Sequence, residues 1–343
     1  MDASSDSASG KAQPTSWSRI GERGSLLGIR FTAWCYRVLG RRGCLPLVYA
    51  IVTYFFLTDR KGRRASRAYL RRVDATPEGH RAIGHTPGFL DSYRHYCAFA
   101  LAIVDRLAIW FGALDDFEFE MHGSENIDQY TEAGRGALIL GAHLGSFDVL
   151  RRLAQRSGIV VNVVMFTANA ERINTIFREI SPETETRVIA VDPTSVHSVF
   201  AIRERLRRGE HVAILGDRIE VGDRDRSIPT PLLGGTVELP QAPFLLAGLL
   251  GCPVVLVIAL RSGPWGYRVF TELMAERVVL PRRERETAVA ALLTTYARRL
   301  EHYCKVAPYQ WFNFFDYWGD AASTSQPGCP GDGGRPADRT VSS

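Results

Sequence analysis

The stretch GALILGAHLGSFDVL at residues 136–150 decides how this chain folds. Its first half, 136–143, is a compact apolar run that is typical of a buried strand. Helical periodicity follows in Phe147 and Leu150, with Gly145 available for the bend and Ser146 suited to be the helix N-cap. The stretch therefore predicts a strand that turns directly into a helix, with His143 at the turn.

The same alternation continues along the chain. Further strands are predicted at 159–166, 187–192, 211–217, 252–261 and 267–273, and helices at 168–180, 195–209, 240–250 and 284–305. Strands that alternate with helices at this spacing predict an α/β fold, with a mainly parallel sheet flanked by helices. Chemistry in such sheets collects at the carboxyl ends of the strands. His143 lies at one such end and Gly216-Asp217-Arg218 at another.

The composition is that of a folded chain: 45% of its 343 residues are hydrophobic, which excludes a disordered protein. Residues 1–110 carry 17 basic and 8 acidic side chains, a net charge of +9 against +5 for the whole chain. This first third is therefore the part suited to an anionic surface.

The N-terminal region, residues 17–110, is predicted to be helical and to associate with a membrane. Its longest uncharged apolar run, Cys44–Leu57, has fourteen residues, whereas crossing a bilayer takes about 20. Arg60, Arg63/Arg64, Arg67 and Arg71 follow at helical spacing and would form a basic stripe beside it, as in helices that lie on an anionic leaflet. A buried helical hairpin and a single membrane span are the alternatives.

The remaining chain divides into an α/β domain at 111–319, a disordered head at 1–16 and a disordered tail at 320–343. No metal site is predicted, because the six cysteines form no C-x-x-C pair or Cys/His cluster. Neither a cofactor nor a nucleic-acid partner is expected. The phosphate-binding glycine loops of nucleotide enzymes, the G-x-S-x-G of serine hydrolases and the H-E-x-x-H of metalloproteases do not occur.

His143 and Asp148 are the predicted catalytic residues. With His143 on the turn and Asp148 in the first helical turn the two side chains can meet, and the positive end of the helix favours an ionised carboxylate there. A carboxylate on one imidazole nitrogen fixes the tautomer and makes the other nitrogen a base. The pair thus predicts a histidine that takes a proton from a hydroxyl. A structural turn histidine is the alternative.

GAHLGSFDVL resembles the H-x-x-x-x-D/E block of membrane-associated lipid acyltransferases, most closely that of the late acyltransferases of lipid A biosynthesis. Further blocks match in the same order, so that the resemblance covers roughly residues 17–318. They are GERGSLLGIRFTAWCYRVLGRRG, ILGDRIEVGDR, ELPQAPFLLAGLLGCPVVLV and APYQWFNFFDYW.

The resemblance implies a one-step acyl transfer at the cytoplasmic face of a bacterial inner membrane. His143 would act as general base on a lipid hydroxyl, Asp148 would orient it, and acyl carrier protein would supply the acyl thioester. Arg218 and the backbone amides at Gly145 and Ser146 are candidate oxyanion donors. Asp217 and Arg218 are also predicted to bind substrate, with Arg218 clamping an acceptor phosphate or the phosphopantetheine phosphate. A structural ion pair between these two residues is the alternative. The acceptor headgroup is expected at Asn169, Arg172 and Asn174.

Two departures concern the acceptor. Late lipid A acyltransferases usually carry Glu where this chain has Asp148, the form common among glycerolipid acyltransferases. The glycine-threonine-arginine block of the glycerolipid enzymes is replaced by GDRIE. The resemblance implies lipid A or a related glycolipid as the acceptor. The two departures leave a lysophospholipid or an ornithine lipid as alternatives.

Two other classes of function compete. Asp223 and Asp225 form a D-x-D of the kind that holds a divalent metal in glycosyltransferases. A membrane-surface scaffold would use only the basic stripe, and its function would survive loss of His143.

Overall fold

The computed structural model describes residues 26–166, 188–191, 196–219 and 226–319. Its helices are α1 (Leu26–Thr58), α2 (Arg60–Asp74), α3 (Pro77–Ile83), α4 (Phe89–Trp110), α5 (Glu125–Glu132), α6 (Phe147–Arg156), α7 (Val196–Arg207), α8 (Ala242–Leu250) and α9 (Arg285–Val306). Its strands are β1 (Glu118–His122), β2 (Leu138–Gly141), β3 (Val161–Phe166), β4 (Val188–Val191), β5 (His211–Leu215), β6 (Ser227–Leu232), β7 (Gly235–Pro240), β8 (Val254–Arg261) and β9 (Gly266–Ala275).

The main sheet has seven strands in the order β1-β9-β8-β2-β5-β3-β4. All neighbouring strands are parallel except β8 and β9. These two are antiparallel because the link between them is too short for a crossover, which needs a dozen or more residues. The predicted α/β fold with a mainly parallel sheet is therefore confirmed. The edge strand β1, helix α5 and the separate antiparallel hairpin β6–β7 were not predicted.

The core lies on both faces of this sheet. Along β8, Leu256 and Ile258 point to one face and join a cluster with α2, α7, α8 and α9. Val255 and Val257 point to the other face and pack with α1 and α4. The alternation follows from the two-residue period of a strand. It explains why β8 is an almost unbroken apolar run.

The N-terminal helices pack against this core. Helix α1 bends at Gly40, whose φ is 66°, and no described helix is both long and apolar enough to cross a membrane. A charged network ties α1 and α4 to the sheet. The fully buried Asp105 accepts hydrogen bonds from Arg41 (2.6 Å to Nη2), Arg261 (2.8 Å) and Tyr267 (2.8 Å).

The predicted head and tail lie outside the described residues, and the boundary between the N-terminal region and the α/β domain stays a prediction. The predicted helix at 168–180 also lies outside them.

Candidate active site

His143 lies in the short turn between β2 and α6. The turn has the predicted local structure: Ser146 is the N-cap of α6, and its hydroxyl accepts a hydrogen bond from the Val149 amide at 3.4 Å. Gly145 makes the bend with a φ of 72°. A Cβ at this position would be 1.9 Å from the carbonyl oxygen of Ala259. Only glycine fits here, because both the backbone conformation and the space exclude a side chain.

The carboxylate bonded to His143 belongs to Asp217. Strands β2 and β5 are parallel neighbours, so the residues that follow them meet at one edge of the sheet. Nδ1 of His143 is 2.8 Å from Oδ1 of Asp217, and the His143 backbone amide donates to Oδ2 at 3.0 Å. The Asp217 side chain is completely buried, whereas that of His143 is 29% exposed.

Asp148 does not occupy the predicted position on the imidazole. It lies in the first turn of α6, as predicted, and is 8% exposed. Its Oδ2 forms an ion pair with Nε of Arg106 in α4, at 2.6 Å. The structure therefore corrects the prediction: the Nδ1 partner is Asp217. The turn places His143 next to the end of β5. Helix α4 packs against α6 and supplies Arg106, the cation that pairs with Asp148.

The environment keeps the imidazole of His143 neutral. Burial lowers the pKa of His143, the nearby Asp217 carboxylate raises it, and the positive charges of Arg218 and Arg106 lower it, with a net pKa below the ordinary value. Burial raises the pKa of Asp217, but the interaction with His143, the hydrogen bonds that His143 donates and the positive charge of Arg218 together outweigh it. The net pKa of Asp217 therefore lies well below the ordinary value. An ionised Asp217 accepts the Nδ1–H bond, and the lone pair of the imidazole is then on Nε2.

The C-terminal segment 310–318 completes the site around Asp217. The indole N–H of Trp311 donates to Asp217 Oδ2 at 3.0 Å, and the amide nitrogen of Asn313 donates at 3.2 Å. Trp311 is fully buried. The carbonyl oxygen of Trp311 is 2.9 Å from Nε2 of His95. Burial lowers the pKa of His95 to about 4. Trp311 and Asn313 of this segment thus hold the buried carboxylate.

The candidate oxyanion donors are engaged within the protein. The amide of Gly145 donates to the carbonyl of Gln310 and that of Ser146 to Ala259, both at 2.9 Å. Arg218 donates from Nε to Asn313 Oδ1 at 2.7 Å and from Nη2 to the carbonyl of Phe312 at 2.8 Å. The expectation that the two amides stabilise an oxyanion is therefore corrected. Arg218 anchors the C-terminal segment beside the histidine.

A cavity of about 230 Å³ adjoins the turn. It lies between α4, the turn after β2 and the C-terminal segment, and both Gly145 and Ser146 line it. The other lining residues are Arg94, Cys97, Ala98, Leu101, Ala102, Arg261, Tyr267, Tyr309, Gln310 and Phe312. Most of these side chains are apolar or small, and Arg94 and Arg261 contribute positive charge.

Several predicted residues lie outside the described part of the chain, namely Asn169, Arg172, Asn174, Asp223 and Asp225. Among the described residues, no group of three or more His, Cys, Asp or Glu side chains could hold a metal ion.

Sequence reasoning missed Trp311 and Asn313 as partners of Asp217, and Arg106 as the partner of Asp148. A signal was present for Asp217 itself, because His143 and Asp217 both follow predicted strands of one parallel sheet. Nothing in the sequence indicates that Trp311 and Asn313 return to that edge.

The family is shown by comparison with known proteins. The family model described as bacterial lipid A biosynthesis acyltransferase matches residues 93–319, which is more than half of the chain. The chain belongs to this family and is an acyl-transferring enzyme of lipid metabolism, as the resemblance implied. Family membership also favours acyl transfer over the glycosyltransferase and scaffold alternatives.

No curated protein matches the chain in sequence. One similar solved structure is the 1-acyl-sn-glycerophosphate acyltransferase PlsC from Thermotoga maritima. The alignment covers 74% of this chain and 95% of that one, with 15% sequence identity and a TM-score of 0.32.

Proposed function

We propose that this enzyme transfers a fatty acyl group from acyl carrier protein to a hydroxyl of lipid A or a related glycolipid, with His143 as general base. One observation carries the proposal. The 2.8 Å contact between His143 Nδ1 and the buried Asp217 carboxylate fixes the tautomer that leaves a basic Nε2, next to a turn that lines a cavity.

The transfer takes place in a single displacement. Nε2 of His143 removes the proton from the acceptor hydroxyl while the oxygen attacks the thioester carbonyl carbon, whose π electrons move to oxygen. When the carbonyl reforms, the thiolate leaves and takes the proton back from Nε2, so that an ester and a free thiol are the products. General base catalysis of this kind is worth about 10²–10⁴-fold. Asp217 stabilises the transient imidazolium, as a buried carboxylate does in hydrolase triads.

The cavity beside the turn is the proposed site of the acyl portion near the thioester. Ala98, Leu101 and Ala102 of α4 and Phe312 of the C-terminal segment give it an apolar wall. Apolar walls with a few placed polar groups are typical of small-molecule pockets. The acceptor headgroup is proposed to lie near Asn169, Arg172 and Asn174, on sequence grounds alone.

The proposed location is the cytoplasmic face of a bacterial inner membrane. Exposed apolar side chains support it, on α1 (Tyr54 and Leu57) and at the start of α4 (Phe89 and Leu90). These two segments are adjacent, because the rings of Phe56 and Phe89 are 4.8 Å apart.

Positive charge lies close to this apolar surface. Helix α2 exposes Arg60, Lys61, Arg64 and Arg71, while its opposite face is buried in the core. Apolar and basic surface together suit an anionic leaflet. The same positive charge suits the acidic acyl carrier protein, so that we expect added salt to raise the KM for this donor.

The test is a comparison of membrane lipids by mass spectrometry. Cells producing the wild-type protein should contain a lipid heavier by one fatty acyl group. Cells producing His143→Ala at equal abundance should lack it. If the two lipid profiles are identical although both proteins are folded, His143 is not the base of an acyl transfer.

A further inference from the structure

The C-terminal segment runs antiparallel to the turn that carries His143. Trp311 lies opposite Leu144 in a short bridge between the two stretches. The amide of Phe312 donates to the carbonyl of His143 at 2.8 Å, so the hydrogen bonds of the bridge are made by the residues on either side of Trp311. Such non-hydrogen-bonded pairs alternate with hydrogen-bonded ones in antiparallel strands. The carbonyl of Trp311 therefore points away from the turn.

His95 of α4 donates to this carbonyl. Nε2 of His95 is 2.9 Å from the carbonyl oxygen of Trp311, and Nδ1 is 3.0 Å from the hydroxyl oxygen of Ser66 in α2. Since a carbonyl oxygen only accepts, Nε2 carries the proton. Nδ1 of the neutral imidazole then accepts from the Ser66 hydroxyl. The backbone amide of Asn313 also donates to the carbonyl of Trp311, at 2.9 Å, but this bond lies within the segment and does not tie it to a helix.

The surroundings of His95 exclude water from its contact with Trp311. The His95 side chain is fully buried. The rings of Tyr69 and Phe314 lie against it, with centroids 5.5 and 4.5 Å from that of the imidazole. A hydrogen bond in surroundings of low dielectric constant is stronger than the same bond in water. His95 therefore fixes the backbone of Trp311 relative to α4.

Trp311 connects this contact to the catalytic pair. Its carbonyl is bonded to His95, while its indole N–H donates to Oδ2 of Asp217 at 3.0 Å. Oδ1 of the same carboxylate is 2.8 Å from Nδ1 of His143. One path of hydrogen bonds therefore joins α4 to the imidazole of His143. A shift of the Trp311 backbone would move the indole N–H away from the carboxylate.

We propose that His95 is a positioning residue for acyl transfer. From helix α4 it holds the carbonyl of Trp311, so that the indole N–H keeps the Asp217 carboxylate against the imidazole of His143. His95 acts through Trp311 and makes no contact with the substrates. The inference rests on the proposed role of His143 as general base and adds a residue from a separate helix.

The assay is thiol release from palmitoyl-acyl carrier protein by the full-length enzyme without a lipid acceptor, with water as the attacking hydroxyl. Hydrolysis uses the same base, so the assay does not depend on the identity of the acceptor. His95→Asn is too short to reach the carbonyl of Trp311 and should lower kcat about fivefold with KM unchanged. The amide N–H of His95→Gln reaches about as far as Nε2, so this variant should keep kcat within about twofold of the wild type.

The indole N–H resonance of Trp311 gives a second readout, which core packing alone would not move. In protein labelled with ¹⁵N-tryptophan, the resonance is assigned by its absence from Trp311→Phe. His95→Asn should shift it upfield, because the bond to the Asp217 carboxylate lengthens, and His95→Gln should leave it in place. If the buried amide of His95→Asn does not fold, His95→Leu fills the space without a donor and should give the same loss and the same shift.

A double variant tests whether the effect passes through the indole. In Trp311→Phe the N–H that binds Asp217 is already absent. Adding His95→Asn should therefore lower kcat by less than about twofold more. If the two losses multiply in full, His95 acts independently of the indole and the proposal is overturned.

His211→Asn is the matched control. The imidazole of His211 is also fully buried and has two hydrogen-bond partners, the Thr131 hydroxyl at 2.9 Å and the Ala137 amide at 3.1 Å. His211 begins β5, whereas Asp217 follows the other end of this strand. His211→Asn should leave kcat and the Trp311 resonance unchanged.

Three results would assign His95 to core packing alone and overturn the proposal. They are equal losses in His95→Asn and His95→Gln, an unshifted Trp311 resonance in His95→Asn, and a comparable loss in His211→Asn. Failure of the acyl transfer itself would look different, because the wild-type protein would then release no more thiol than His143→Ala.

Discussion

Two aspartates lie near His143, and their surroundings differ. Asp217 follows the strand next to that of the histidine, is completely buried, and accepts hydrogen bonds from His143, Trp311 and Asn313. Asp148 is five residues from His143 in sequence, yet its carboxylate is paired with Arg106 on another helix. Closeness in sequence therefore does not decide which carboxylate contacts the imidazole of His143. The pairing of parallel strands does.

The largest difference is expected from the buried carboxylate. Asp217→Asn should lower kcat by about 10²–10⁴-fold, because the amide no longer favours Nδ1–H and the Nε2 lone pair is lost. Thiol release from palmitoyl-acyl carrier protein measures the effect, and far-UV circular dichroism checks the fold. Near-wild-type activity in a folded Asp217→Asn protein would indicate that activity depends on Asp148 and not on Asp217.

Asp148→Asn should cost much less, about tenfold in kcat. The neutral amide weakens the ion pair that joins α6 to α4 beside the turn, while the bond between His143 and Asp217 stays intact. The same assay applies, with Asp115→Asn as an exposed carboxylate that also pairs with an arginine and should have no effect. An Asp148→Asn protein as slow as Asp217→Asn would mean that both carboxylates act on the histidine.

Trp311→Phe tests the support of the buried carboxylate. Phenylalanine keeps a ring in the core but removes the N–H that donates to Asp217 at 3.0 Å. Loss of a hydrogen bond to a buried charged group costs about 1–3 kcal/mol of unfolding free energy. Urea titration measures this loss, and kcat should fall only modestly. An unchanged midpoint would show that the indole contributes packing alone.

The smallest expected effect is the position of the acid limb in the wild-type pH profile. Imidazole has an ordinary pKa of about 6.5, and that of His143 lies below it. A general base works in its neutral form, so kcat/KM should stay constant as the pH falls to about 6.5 and decline only below it. A limb above the ordinary value would indicate that Asp217 outweighs burial and both arginines.

The sheet and the turn were predictable because their signals are local. Apolar runs, glycine positions and the N-cap at Ser146 are read within a few residues of each other. The partners of Asp217 and Asp148 depend on packing: Asn313 is 96 positions from Asp217 in the chain, and Arg106 precedes Asp148 on a separate helix. The five-residue spacing between His143 and Asp148 therefore indicates only that both residues lie near the start of α6.

The C-terminal segment has a consequence for biosynthesis of the enzyme. Trp311 and Asn313 are made after every strand of the sheet, so a nascent chain still on the ribosome before this point has an Asp217 without two of its donors. The histidine of such a chain is not yet held in its final geometry. The proposed general base is thus held in its final geometry only once translation has passed the last aromatic residues.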